Sequence, residues 1–232
     1  MLVAVLSFLV TILVYQSSKW LYKRYPLVFL FPIITSVLTM IVFLIVSRTP
    51  YSHYMSGAKW LSDLLAPATV AFAIPLHKHF DLLRSHAVEI VGSVFTGAFT
   101  SIVSTVLLAD TLHFNAQLAG SLAPRSVTTP IAMQISQTIG GVPVLTAVFV
   151  ILTAFIGILV GPMVIRFLHI QSSIAKGTLF GTGAHGIGTS KAFELGALEG
   201  TIASLAMIIS AGFTVVLAPF LVPFLVHYFH SL

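Results

Sequence analysis

A single arginine stands between two prolines in an otherwise apolar stretch. The segment SLAPRSVTTPIAMQISQ (121–137) places Arg125, Ser126, Thr128 and Thr129 between Pro124 and Pro130. A guanidinium fork grips a carboxylate through two parallel hydrogen bonds. The neighbouring hydroxyls, with main-chain N–H groups freed by the prolines, would complete a cradle for a small anion. The plainer alternative has Arg125 reaching to a membrane interface and the hydroxyls capping the helix after Pro130. A second candidate is GTLFGTGAHGIGTSKAFELG (177–196), with His185 at its centre. Gly183 and Gly186 would let backbone approach a ligand closely. Thr189 and Ser190 are expected to cap a following helix that carries Lys191 and Glu194. The alternative here is small-residue helix packing, since Gly157/Gly161 and Gly177/Gly181 both have GxxxG spacing. A third candidate broken helix is LAPATVAFAIPL (65–76), with Pro67 and Pro75.

Histidine titrates near neutral pH, so His185 is a proton-coupling candidate, joined by Glu89 and Glu194. Glu89 competes with a reading as a helix-start cap, and His86, three residues before it, is placed to pair with it. Asp110 and Glu199 read as helix ends. HExxH is absent, no Ser/His/Asp set or metal-ligand cluster stands out, and GTGAHGIG matches neither a P-loop nor a dinucleotide fingerprint. The expectation is a chain that is not an enzyme and needs no cofactor and no metal.

These residues must be positioned inside a membrane. Of 232 residues, 57% are apolar and 7% charged, and mean hydropathy is +1.05; a soluble domain carries about 25% charged residues. Leu27–Ser47, Ala87–Ala109, Val142–Ile165 and Gly200–Val226 are each 20 or more residues long, and about 20 helical residues cross the hydrocarbon core. Residues 2–15 read as a short first span; no basic region precedes them, which argues against a cleavable signal. Cysteine is absent, which excludes disulfides and thiolate zinc sites. The net charge of +5 sits in short loops, a topology signal rather than a nucleic-acid patch. The predicted fold is all-α and polytopic, one transmembrane domain over 1–232 with about 7–8 membrane segments, some broken or re-entrant.

Lys19, Lys23 and Arg24 place the loop Ser17–Pro26 inside, and Lys78 and Arg84 do the same for 77–86. A loop is expected at 48–59 and a returning segment from Trp60 to Leu76. Segment 118–141 either spans as a broken helix or enters and leaves on one side; re-entry puts Arg166, His169 and Lys176 in the cytoplasm. A long last helix starts near Leu198, with Pro219 and Pro223 kinking it or ending the span early. LAPATV (65–70) and LAPRSV (122–127) match at offset 57, and Ala98-Phe99 and Ala154-Phe155 at offset 56. They suggest an internal repeat, around 60–115 and 117–170, as in many transporters.

SHAVEIVGSVFTGAFTSI (85–102), LAPRSVTTPIAM (122–133) and GTGAHGIGTSKAFELG (181–196) strongly resemble the LrgB/CidB family. The likeness covers almost the whole chain and is weakest over 1–60. Family members often have lysine where this chain has Arg125. The resemblance implies one of two functions in a bacterial plasma membrane. One is transport of small carboxylates of the pyruvate, lactate, glycolate or glycerate class. The other is a holin/antiholin-like role in regulating murein hydrolases and lysis. It also implies a small LrgA/CidA-like membrane partner, with homo-oligomers a further expectation.

Overall fold

The computed structural model describes residues 2–25, 27, 30–64, 67, 70, 73–78 and 80–230. Among these, every regular element is a helix. Four helices are long and apolar enough to cross a membrane, spanning Ala4–Arg24, Ala87–Thr111, Pro143–Phe167 and Ala197–Phe229. The protein is thus an all-α, multi-pass membrane protein. The chain divides into two compact units, Met1–Ala73 and Ile74–Leu232.

The first unit contains α1 (Leu2–Arg24), α2 (Pro32–Val46) and α3 (Tyr51–Asp63). Two expectations are corrected here. The loop predicted from Ser17 is helical up to Arg24, because nothing between Tyr15 and Arg24 breaks a helix and the first proline comes at 26. The loop predicted at 48–59 is helical from Tyr51; Pro50 stands just before the first turn, where a proline does not break a helix. The helix α2 starts with Pro32 in its first turn, where a missing N–H costs nothing. Phe8 and Trp60 rings lie 5.8 Å apart and the Thr11 and Tyr54 hydroxyls 3.0 Å apart, joining α1 to α3. Most of the broken segment expected at 65–76 lies outside the described residues; Pro67 is exposed, and Pro75 falls within the short α4 (Ala73–Lys78).

In the second unit, α5 (Phe80–Ser85) leads to α6 (Ala87–Thr111). Two short helices follow, α7 (Ala116–Leu122) and α8 (Thr129–Thr138), then α9 (Pro143–Phe167). The last are α10 (Ser173–Leu195) and α11 (Ala197–His230). Buried residues recur every fourth position on the two middle spans: Ile90, Val94, Ala98 and Ile102 on α6, and Thr146, Val150, Ala154 and Ile158 on α9. That periodicity gives each helix one inward face.

Between α6 and α9 the chain leaves and returns to one place. Ser121, at the end of α7, accepts a hydrogen bond of 2.7 Å from Val142 N, just before α9. A Cβ on Gly141 would lie 2.7 Å from the Gly120 carbonyl carbon, so the two strands of chain touch through glycine. The connection 123–128 is the far end of this first hairpin.

The α10 segment is two arms. Ala184 (φ −139°, ψ 15°) and His185 (φ 39°, ψ −129°) interrupt it, the latter near the first central position of a type II′ turn. The arms fold against each other, for a Cβ on Gly188 would lie 2.7 Å from the Ala184 methyl and would overlap the Phe180 carbonyl. The first arm is wedged between neighbours. A Cβ on Gly157 would meet Ala184 Cβ at 2.6 Å, and one on Gly177 would meet Ile202 Cβ at 2.7 Å. The GxxxG glycines therefore serve as helix contacts. Thr189 and Ser190 were expected as caps; instead they lie one turn inside the second arm. Their hydroxyls donate back to the carbonyls of His185 (2.9 Å) and Gly186 (3.2 Å), the usual outlet for such residues within a helix. The helix α11 starts at Ala197 as expected but runs through Pro219 and Pro223 to His230, so those prolines do not end it.

Candidate functional site

Both hairpin tips place irregular backbone deep among the long helices. At the first tip, Thr128 occupies the N-cap of α8 with extended φ/ψ and no side-chain cap bond, and Pro130 lies in the first turn. The capping alternative for Thr128 is therefore not realised. A helix start carries unpaired N–H groups and a partial positive charge that favour anions. Three residues earlier in the chain, Arg125 is half-buried, and its Nη1 is buried with no hydrogen-bond partner among the described residues. A buried donor left unmet costs about 1–3 kcal/mol, more when charged. Ser126 is tied down, its hydroxyl 2.6 Å from that of Ser101 in the middle of α6. Pro124 is buried, Pro130 exposed, and Thr129 half-buried beside Thr128.

At the second tip, His185 is buried, and its Nε2 donates to the Val150 carbonyl at 3.2 Å. A carbonyl only accepts, so that nitrogen carries the hydrogen and Nδ1 is left to receive one. The second arm starts at this tip and aims its own free N–H groups there. Gly183 has open space where a Cβ would be, and Gly186 has only Met207 Sδ, at 3.9 Å. Of the glycines in this segment, these two are open, while Gly177, Gly181 and Gly188 are packed.

Val150 links the tips. Its carbonyl takes His185, and its side chain belongs to the buried cluster that holds Ala123 and Val127, on either side of Arg125. The carboxylates are not gathered with them. Glu89 is in the first turn of α6, 2.9 Å from His86 Nδ1, about 18 Å of helix from Ser101. Glu194 pairs with Lys191 at 2.6 Å near the outer end of the second arm. Glu199 accepts from Ser173 at 2.8 Å. No group of three His, Asp or Glu side chains capable of holding a metal occurs among the described residues.

Three polar residues escaped the sequence reading. Ser101 is the partner of Ser126. Ser210 and Thr178 are buried with hydroxyls that have no partner among the described residues. Ser210 lies on α11 between Met207, which touches Thr189, and Ala211, which shares the cluster of Ala123 and Val127. Ser101 continues the fourfold spacing of Glu89, Ser93 and Gly97, a signal present in the sequence; Ser210 and Thr178 have none.

The arrangement, a lone guanidinium and two helix starts around buried backbone, suits reversible holding of a small anion. Comparison with known proteins gives the family. The model of the LrgB-like family matches residues 11–224. YwbG of Bacillus subtilis is 49% identical over 225 residues, 97% of this chain and 100% of that protein. The holin-like protein CidB of Staphylococcus aureus is 33% identical over 219 residues, 94% of this chain and 96% of its own length. The antiholin-like protein LrgB of Bacillus mycoides is 34% identical over 217 residues, covering 93% and 94%. No solved structure matches the chain. A match over nearly the whole length means that this chain belongs to the LrgB-like family.

Proposed function

We propose that the protein is a carrier for small carboxylates in a bacterial plasma membrane, without cofactor or covalent chemistry, and that both hairpins are re-entrant. The observation that carries this reading is the buried, partnerless Arg125 Nη1 at a helix start. A small carboxylate would satisfy it bidentately, with Ser126, Thr128 and Thr129 around the anion and Gly183, Gly186, Thr189 and Ser190 forming the opposing wall. Pyruvate, lactate, glycolate and glycerate are the class to test. His185 serves as the proton-coupling residue; Glu89 and Glu194 are secondary. A separate LrgA/CidA-like subunit would act beside it.

Re-entry is supported by the return contacts of the first hairpin at Gly120/Gly141 and by the folded arms of the second. With the two hairpins counted, the membrane segments number about 7–8. A repeat is supported too, in a shifted frame. The helices α6 and α9 are both 25 residues long and begin at 87 and 143, 56 residues apart. Their buried residues coincide at that offset, and so do the helix positions that touch the tips: Ser101 on α6 meets Ser126, and Gly157 on α9 meets Ala184, the two partners lying 58 residues apart. The repeat thus reads 87–138 and 143–195, with hairpins inserted from opposite faces, the pattern of inverted-repeat transporters.

The names of the relatives favour a second reading, a holin/antiholin-like regulator of murein hydrolases. Uptake of labelled pyruvate into proteoliposomes separates the two. Saturable uptake lost in Arg125→Ala is expected of the carrier. Unselective dye leakage, unchanged in that variant, would establish the pore.

A further inference from the structure

On α6, Glu89, Ser93, Gly97 and Ser101 recur every fourth residue and share one face. Glu89 and Ser93 line a cleft of about 430 Å³ with Thr178 and Thr182 from the first arm of α10. Gly97 follows one turn further along α6, where a methyl would make ordinary contact with Thr182 Cγ2 at 3.6 Å. Ser101 ends the stripe, bonded to the neighbour of Arg125. Thr178, in the cleft wall, is only 7% exposed, and its Oγ1, itself buried, has no hydrogen-bond partner among the described residues.

The opposite end of the fold is closed. Ser121 bonds Val142 N at 2.7 Å, Thr146 donates to Ser136 at 2.7 Å, and Gly120 and Gly141 leave no room for a side chain between them. Thr146 is the counterpart of Ile90 at the 56-residue offset. The stripe residues Glu89, Ser93 and Gly97 have Leu145, Phe149 and Thr153 as their counterparts on α9, so the polar lining beside α6 is not repeated there.

We propose that the Glu89–Ser93–Gly97–Ser101 stripe, facing Thr178 and Thr182, walls a water-filled path by which a small carboxylate reaches Arg125 from the face that carries Arg84, Arg166 and Lys176. The inference rests on the carrier reading. Glu89 at the mouth is hydrogen-bonded to His86, 2.9 Å away, and the starts of α6 and α10 bring their partial positive charges there.

The absence of cysteine makes the test direct. Ser93→Cys and Thr182→Cys, on opposing helices so that misfolding of one leaves the other, are exposed in proteoliposomes to a membrane-impermeant anionic methanethiosulfonate. Val148→Cys on the exposed side of α9 and the buried Thr146→Cys are the references. The expected result is modification of Ser93→Cys and Thr182→Cys at least tenfold faster than either reference, only from the face with Arg166 and Lys176, and slowed by pyruvate. Rates equal to Val148→Cys in protein that still takes up pyruvate overturn the path and leave the carrier standing. Fast one-sided modification in protein with no saturable uptake keeps the path and removes the carrier.

Discussion

The two hairpins solve one problem by different means. The first turns through six residues, 123–128, with a proline on either side of its charged residue; the second turns at Ala184 and His185 alone. A broad turn leaves room for a long side chain, so the first tip presents a guanidinium with an unmet nitrogen. A tight turn needs its arms pressed together, so the second tip depends on glycine. There Gly188 backs against Phe180 while Gly183 stands open. The lesson is a difference in build: an unmet guanidinium nitrogen in the first tip, and close packing around a single histidine in the second.

That contrast breaks most plainly at Arg125. Arg125→Ala should cut saturable carboxylate uptake by about 100-fold, the scale of a lost buried charge partner, while Arg125→Lys keeps a measurable part because it restores the charge without the fork. Equal loss in both variants would mean that charge alone does not suffice at 125. In the second tip the largest expected effect is on stability. Gly188→Ala forces overlap with Phe180 and should cost about 1–3 kcal/mol, read as a lower midpoint of thermal aggregation in detergent. Gly183→Ala, with nothing within 4 Å, should leave that midpoint unchanged. His185→Ala should lower uptake by about tenfold through loss of its bond to Val150 and its free nitrogen, with folding retained. His185→Gly, which relaxes the positive φ, tests whether the ring or the turn matters: uptake as low as in the alanine variant points to the ring. Smallest is Ser126→Ala, which removes one neutral hydrogen bond to Ser101 and should change the half-saturating concentration by a few-fold at most.

Much of this difference was legible beforehand. Pro124, Pro130 and the glycines of 177–196 announce irregular backbone because each acts locally, through a missing N–H or a missing Cβ. The spans at 87–111 and 143–167 follow from apolar run length. The turn at His185 was not legible, since an L residue at φ 39° is imposed by the surrounding contacts rather than preferred. For the same reason Thr189 and Ser190 were misjudged as caps: the second arm begins at Gly186, one turn sooner than their chemistry suggests. The start of α3 at Tyr51 was hidden by charges that marked a loop. Partners far apart in sequence, such as Ser101 and Ser126, need coordinates, and so do hydroxyls that lack partners.

The last helix carries a consequence for how the molecule meets lipid. Thirty-four residues at 1.5 Å each make a rod of about 51 Å, against roughly 30 Å of hydrocarbon. Tilts of ordinary size absorb only part of the excess, so one end of the rod must emerge among headgroups. Its C-terminal turns carry Phe220, Phe224 and Tyr228 on one outward line, apolar rings followed by a tyrosine of the kind that settles at a lipid–water boundary. Bilayer thickness therefore becomes a variable that this helix senses directly.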